Sequence, residues 1–373
     1  MVGGSIRPRA AAGGARPSNR GAGVPGAGGF LLVSIDGSTG EGGGQVLRAA
    51  VALAAVMETD LKITNIRAGR TPPGLKAQHV AGVRAVAELC SAAVEGDTVG
   101  STELRFRPDV LRGGEFTFDV GTAGSIALVV QAALPPALRC GEAVTMTVRG
   151  GTDTTQAPTV DYLDQVLLPV LRTLGAQVSL EVLARGFFPR GGGEVRLRVE
   201  PAGPLRPFAP TGPQPKPVVH GRVVNSGLTA DIADRTRRAI LRALRGWNVG
   251  QVGIHHATAA SNGVSATVWC NRRGGALGSS GVGKRGYTAE ALGHDAAEPV
   301  ARALRADADV DEFLLDQLLI YCVMATGRSS FTFDRMTPHA QTLLAVAREF
   351  APFRSEVERQ GQRHRIVVDG EGL

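Results

Sequence analysis

The feature that most limits what this chain can fold into is an order of apolar patterns that returns along it. Residues 30–36 (FLLVSID) make a short, nearly continuous apolar run of strand length, followed by a Gly-rich loop and an Ala/Leu/Val-rich stretch over about 45–57 that suits a helix. A strand pattern at 61–66, a basic loop, a helix over 75–90 and two strand-like runs near 92–107 complete a β-α-β-α-β-β series. The same order follows at 115–120, 125–138, 143–149, 159–174, 177–184 and 193–200. Most of a third copy lies near the C-terminus: helix 312–326, strand 329–334, helix 339–350, and strand-like runs near 353–358 and 364–369, with no evident opening strand. Self-similarity of this kind argues for an α/β (α+β) domain of repeated units, with crossover helices packed on sheets.

Between the second and third copies lies a different stretch. It opens with a Pro-rich passage (PAGPLRPFAPTGPQPKP) and holds a basic helix over 231–245. The expected organisation is therefore a large repeat domain over 30–203 and 306–373, with a small α/β domain inserted over 204–305. Residues 1–29, almost entirely Gly, Ala, Pro and Arg, cannot bury a core and read as a disordered tail. The net charge of +7 would suit a polyanionic partner, but Arg7, Arg9, Arg16 and Arg20 of that tail supply +4 of it without a balancing acid. Charge alone thus permits a nucleic-acid partner without requiring one. No apolar run is long enough to span a bilayer, and no membrane association or secretory leader is expected. Cys90, Cys140, Cys270 and Cys322 stand apart, with no C-x-x-C pair, which suits a reducing cytoplasm better than a disulfide framework or a zinc site.

Three loops share a position in the repeat, after the second strand and before the second helix: RAGRTPPGLKAQH (67–79), GGTDTTQAPTVDY (150–162) and DRMTPHAQT (334–342). If the units pack around one axis, the helix N-termini that follow these loops converge on one cleft, where their positive ends favour anions.

Four groups of residues in or near such loops could carry chemistry. GSTGEGGGQVLR (37–48) offers glycine backbone amides to an anion, and Glu41 inside it needs a cation to sit beside a phosphate, the task Mg²⁺ performs in nucleotide enzymes. On its own the loop is equally compatible with a flexible turn and a solvated glutamate. Arg48 stands one helical turn beyond Gln45, so the two can share a face. Arg67 and Arg70, near Gln78 and His79, suit an anion with several oxygens, although surface pairs of arginines are common. His339 follows Thr337-Pro338, an N-cap and first-turn signal, and a helix N-terminus favours the neutral, nucleophilic imidazole. A lone histidine is more often structural. Asp316, with Gln317 on the apolar helix FLLDQLLIYCVMA, must be paired or functional, and pairing with a histidine would serve both needs.

DGSTGEGGGQVLR, IRAGRTPPGLKAQH, GGTDTTQAPTVDY, RGFFPRGGGEV, GSSGVGKRGYTAEALG, VDEFLLDQLL and the His339 segment, in this order, resemble the RNA 3′-terminal phosphate cyclase family over about 30–353. The resemblance implies three β-α-β-α-β-β units with a small domain inserted before the third. It also implies an ATP-dependent, ligase-type nucleotidyl-transfer enzyme that closes an RNA 3′-phosphate into a 2′,3′-cyclic phosphate. In that scheme His339 carries AMP, Asp316 orients it with Gln317 beside it, and Glu41 contacts a divalent metal, Mg²⁺ or Mn²⁺. Arg48, Arg67, Arg70 and Gln78 hold phosphates, and Pro158 and Phe313 flank the adenine. The implied partner is an RNA with a 3′-phosphate end, and a homodimer is left open. Leu277 stands where relatives can carry Phe. Two neighbouring classes stay in view. One is a non-cyclising branch acting in ribosome assembly, which lacks the nucleophilic histidine. The other is the enolpyruvyl transferases, which share the repeated fold. His339, Glu41 and both arginines of RAGR argue against the first, and the second requires neither His339 nor GEGGGQ.

Overall fold

The structure, a computed structural model, describes residues 32–372; the segment 1–29 expected to be disordered and the first two residues of the opening apolar run lie outside the described residues. The first unit comprises β1 (Leu32–Asp36), α1 (Gly44–Val56), β2 (Asp60–Thr64), α2 (Ala77–Leu89), β3 (Ala93–Glu95) and β4 (Leu104–Arg107). β1 and β2 are parallel, β4 pairs antiparallel with β2 and β3, and the order is β1-β2-β4-β3. The second unit contains β5 (Gly114–Asp119), α3 (Ile126–Arg139), β6 (Val144–Gly150), α4 (Val160–Tyr162), a π-helical stretch (Leu163–Leu167), α5 (Leu168–Thr173), β7 (Gln177–Ala184) and β8 (Gly193–Glu200). Its order, β5-β6-β8-β7, and its strand directions repeat the first.

The sequence suggests an unbroken helix over 159–174, and the structure differs. Pro169, inside that stretch, has no amide proton to return to the carbonyl four residues earlier, and its ring crowds the same carbonyl. The widened π turn just before it absorbs the mismatch.

A separate sheet follows. β9 (Val219–Ser226), α6 (Ala230–Ala243), β10 (Val249–His256), β11 (Gly263–Asn271), β12 (Ala276–Val282) and α7 (Ala289–Arg305) form a sheet of order β10-β9-β11-β12. It encloses its own apolar cluster, including Val219, Ile240, Val268, Leu292 and Ala301. The third unit has α8 (Glu312–Met324), β13 (Thr326–Phe333), α9 (Pro338–Phe350), β14 (Arg354–Gln360) and β15 (Arg363–Glu371), in the order β13-β15-β14. Its opening strand is reduced to one residue: Val310 makes a parallel bridge to Phe333 on one side and to Ala276 of β12 on the other. The reason lies next door. Asp311 already caps α8, its Oδ1 accepting from the Phe313 and Leu314 amides at 2.8 and 2.9 Å, so extended backbone ends there.

The first helix of each unit lies innermost. α1 packs against α2, α3 and α9, and α8 packs against α3 and α9. Ala49, Ala50, Ala52, Ala54 and Ala55 of α1 are buried, and α8 is apolar almost all round, the pattern of helices enclosed on every side. Among the described residues, no helix is long and apolar enough to cross a membrane.

A buried ionic network ties the second unit to the separate sheet. Arg185 donates to both oxygens of Asp161 at 2.7 and 2.8 Å, and Arg222 of β9 donates to the same carboxylate at 2.5 Å. Asp153 accepts from Ser265 of β11 at 2.7 Å and lies 3.4 Å from Arg185. Removing one partner of such a network leaves an uncompensated buried charge, which costs about 3–5 kcal/mol. Arg185→Met should therefore lower the urea midpoint by an amount of that order, while Arg222→Met, which leaves the paired Arg185 in place, should cost clearly less. Equal midpoints for wild type and Arg185→Met would show that the network does not stabilise the fold.

Candidate active site

The loops that share a position in the repeat do meet. A cleft of about 770 Å³ is lined by the N-terminal turns of α1, α2, α8 and α9 and by residues 156–158 ahead of α4. That volume is within the range of small-molecule sites. Free amides and the positive ends of several helices face one space, which therefore suits an anion with many oxygens. Every candidate singled out from the sequence lines it: Glu41, Arg48, Arg67, Arg70, Gln78, Pro158, Phe313, Asp316, Gln317 and His339.

The GEGGG loop reaches the third unit because its glycines permit close approach. Gly40 adopts a left-handed φ of +65° and abuts the Thr342 side chain of α9, so a side chain there would meet both backbone strain and a clash. Gly44 opens α1 directly against the His79 ring, leaving no room for a methyl group. This approach brings Glu41 to His339. Oε2 of Glu41 lies 3.2 Å from Nδ1 of His339 and 3.5 Å from a guanidinium nitrogen of Arg70. Burial lowers the imidazole's pKa, Glu41 opposes that shift, and Arg48 and Arg70 add to it, which favours the neutral ring. With Nδ1 turned toward the Glu41 carboxylate, the favoured neutral tautomer carries its proton on Nδ1 and its lone pair on Nε2.

The arginines differ in their commitments. Arg48 donates to Gln45 at 2.7 Å, the shared helix face expected from their spacing. Burial lowers its pKa to about 10, with Glu41 and Asp316 opposing, so it stays charged at neutral pH. Arg70 is half-exposed and free to turn toward a ligand. Arg67 is different. It has a left-handed φ of +54°, is buried, and donates from Nη1 to the carbonyls of Pro72 and Gly74 at 3.1 and 2.6 Å. Much of its hydrogen-bonding capacity therefore shapes the loop. Gln78 accepts from the Ser125 amide at 3.1 Å, which leaves its amide nitrogen as the group available to a ligand.

Asp316 departs from the expected pairing. Its carboxylate accepts the hydroxyl proton of Thr337 rather than meeting the His339 ring. Thr337 caps α9 by accepting from the Ala340 amide at 2.9 Å, so its own proton is free to be donated, and Asp316 takes it. The carboxylate next to the ring is Glu41, and Asp316 meets instead the Thr337 cap that starts the helix carrying His339. Gln317 accepts from Gln131 of α3 at 2.8 Å and donates to the Phe313 carbonyl at 2.9 Å. Leu277 is fully buried in the apolar cluster of the separate sheet and does not line the cleft.

The sequence reading missed two groups, Tyr162 and Asp311. Tyr162 lines the cleft and donates to Asp311 at 3.0 Å, while Asp311 also accepts from the Gly278 amide at 2.7 Å. Together they join the second unit, the separate sheet and the third unit beneath the site. The N-cap position of Asp311 was a readable signal; its partners were not. His79 is buried, accepts from the Lys76 amide at Nδ1 and so presents Nε2–H. Burial pushes its pKa down to about 3, with Arg48, Arg67 and Lys76 adding to the shift, so it is a neutral donor. Among the described residues no three His, Cys, Asp or Glu side chains gather to hold a metal. The donor set still fits a Mg²⁺-like ion, which commonly takes one carboxylate, here Glu41, with the remaining ligands from substrate phosphates and water.

A family model described as RNA 3′-terminal phosphate cyclase matches residues 39–357. The chain belongs to that family. An RNA 3′-terminal phosphate cyclase of Nitrosospira multiformis is 42 % identical over 338 residues, covering 90 % of this chain and 96 % of its own. One of Pyrobaculum neutrophilum is 39 % identical over 349 residues, covering 92 % of this chain and 99 % of its own. The enolpyruvyl transferase NikO of Streptomyces tendae aligns with a TM-score of 0.37 at 13 % identity, over 92 % of this chain and 49 % of its own, too slight a likeness to carry weight. Within the RNA 3′-terminal phosphate cyclase family match lie both carriers of the 3.2 Å contact, Glu41 and His339.

The acid beneath the cap titrates near neutrality. Burial raises the Asp316 pKa to about 7, Asp311 and Glu312 add to the rise, and the Thr337 hydroxyl opposes it. A carboxyl whose folded pKa exceeds its unfolded value binds more protons when folded, so its contribution is full below about pH 4 and is lost as pH rises toward 7. Asp316→Asn should remove that component, so the stability difference between wild type and variant should shift in the variant's favour from pH 4 to 7.5 by an amount on the order of 1–4 kcal/mol. Thermal unfolding across that range measures it, and parallel curves would contradict the assignment.

Proposed function

We propose that the protein uses ATP to convert an RNA 3′-terminal phosphate into a 2′,3′-cyclic phosphate, through AMP carried on Nε2 of His339. The observation that supports this best is the Glu41–His339 contact. It turns Nδ1 of a half-buried imidazole at a helix N-terminus toward a carboxylate, which favours the lone pair on Nε2, inside a cleft whose arginines and helix N-termini suit phosphates.

In the first step His339 Nε2 attacks the α-phosphorus of ATP, forming an N–P bond as the bond to pyrophosphate breaks. Glu41 keeps the Nδ1 proton and stabilises the cationic ring of the adduct. Arg48, Arg70 and the amide group of Gln78 face the charge that builds on the phosphate oxygens, with Arg67 holding the loop that presents Arg70. Pro158 and Phe313 line the cleft where the adenine would lie, and Phe313 is 39 % exposed and available for stacking. A divalent ion bound through Glu41 would supply further neutralisation of phosphate charge. In the second step an oxygen of the RNA 3′-phosphate attacks the same phosphorus and releases His339. In the third the neighbouring 2′-hydroxyl attacks the terminal RNA phosphorus, AMP leaves, and the cyclic ester closes. Activation matters because a hydroxyl displaces AMP far more readily than a bare phosphate oxygen.

The steps separate by mutation. Protein incubated with ATP labelled at the α-phosphate should retain label, and His339→Ala should retain none and should not cyclise an ordinary RNA 3′-phosphate. The same variant given RNA already joined to AMP through a pyrophosphate should still close the ring, more slowly than wild type. Label retained by His339→Ala would move the nucleophile elsewhere.

A further inference from the structure

The segment RGFFPRGGGEV (185–195) is not used by the chemistry above, yet it presents the most exposed large hydrophobic side chain among the described residues. Phe187 is 2 % exposed and packs on Gly263 of β11, while Phe188 beside it is 78 % exposed. Single exposed apolar residues are ordinary, so exposure alone says little. The setting says more. The loop is held at both ends: Arg185 is locked in the buried network, the Gly191 amide donates to the Phe187 carbonyl at 2.9 Å, and the Arg190 amide donates to Ser261 at 3.1 Å. Gly191, with a left-handed φ of +69°, lies against the backbone of Thr122 and Ala123. Two residues later the Ser125 amide bonds Gln78 on the cleft wall. A loop fixed beside the 122–125 segment, which leads to Gln78 on the cleft wall, therefore holds an exposed aromatic side chain, with the exposed Arg190 two residues away.

We propose that Phe188 and Arg190 form a docking subsite for the single-stranded RNA on the 5′ side of the reacting end, Phe188 stacking on a base and Arg190 pairing with a backbone phosphate. This rests on the reading of the cleft given above and extends it. An enzyme acting on RNA ends needs a grip on the strand that tolerates any sequence. Aromatic stacking provides one, because every base has a π face, and an adjacent guanidinium holds the backbone. Phe313, the exposed aromatic inside the cleft, is already assigned to adenine, so the strand must find its stacking partner outside. A lone ring flanked by Pro189, Arg190 and Gly192, all exposed, is far smaller than the surface a stable protein partner would cover. Rigid presentation also lowers the ordering cost of binding.

The test is equilibrium binding of a fluorescent 3′-phosphorylated ten-nucleotide RNA, read by anisotropy, beside adenylation and cyclisation assays. Phe188→Ala should bind that RNA between about fivefold and a hundredfold more weakly and raise its KM similarly. Adenylation by ATP without RNA, and turnover of a 3′-phosphorylated dinucleotide too short to reach the loop, should be unchanged. Phe188→Trp should restore affinity. Equal affinity of wild type and Phe188→Ala for the ten-nucleotide RNA overturns the subsite, as does a loss confined to a change of oligomeric state in sedimentation. A wild-type protein that binds the RNA but takes up no AMP overturns the reading of the cleft instead.

Discussion

The site depends on the contact between Glu41 and His339, 3.2 Å apart although they come from the first and last repeat units. Neither residue can reach the other unless the GEGGG loop lies against α9, and that approach requires Gly40 beside Thr342. The loop is placed by α1, and α1 is placed by the packing of its alanine-rich surface against α2, α3 and α9. The buried helices thus act as the frame that holds an acid from one end of the chain to a histidine from the other. That contact turns Nδ1 of the ring toward a carboxylate, and burial, with Arg48 and Arg70 adding and Glu41 opposing, lowers the ring's pKa.

Repetition explains why so many features that suit an anion meet in one place. Each β-α-β-α-β-β unit delivers helix N-termini to the same side of its sheet, and three units around the inner helices deliver them to one cleft. No single motif has to do the work of a complete phosphate-binding loop. Glycine amides, helix termini, Arg48 and Arg70 each contribute part of the positive field. The units have also diverged in what they spend on structure. Arg67 has given much of its guanidinium to the carbonyls of Pro72 and Gly74, and Asp316 has given its carboxylate to a helix cap.

Much of this was legible in the sequence because it is local. The strand and helix periods, the Gly-rich loop, the Thr337-Pro338 start signal and the Gln45–Arg48 pair all follow from residues within a few positions of one another. The π turn was not read, although Pro169 stands inside the helix expected over 159–174. What the sequence hid is contact between units. The Asp316–Thr337 bond replaces the expected Asp316–His339 pair, and Tyr162–Asp311–Gly278 joins residues up to 149 positions apart. Such pairings are set by how the units dock, and nothing in spacing reports it. The missing opening strand of the third unit falls between these cases: Val310 and its neighbour Asp311 are visible in the sequence, but only the fold shows that a helix cap leaves one bridging residue.

The central claim is that Glu41 leaves Nε2 of His339 as the nucleophile. Isolating the protein carrying AMP and determining by peptide mapping and phosphorus–nitrogen NMR which atom bears the phosphorus tests it most directly. A phosphoramidate on Nε2 of His339 is the result the geometry predicts. Phosphorus on Nδ1, or on any other residue, would contradict it.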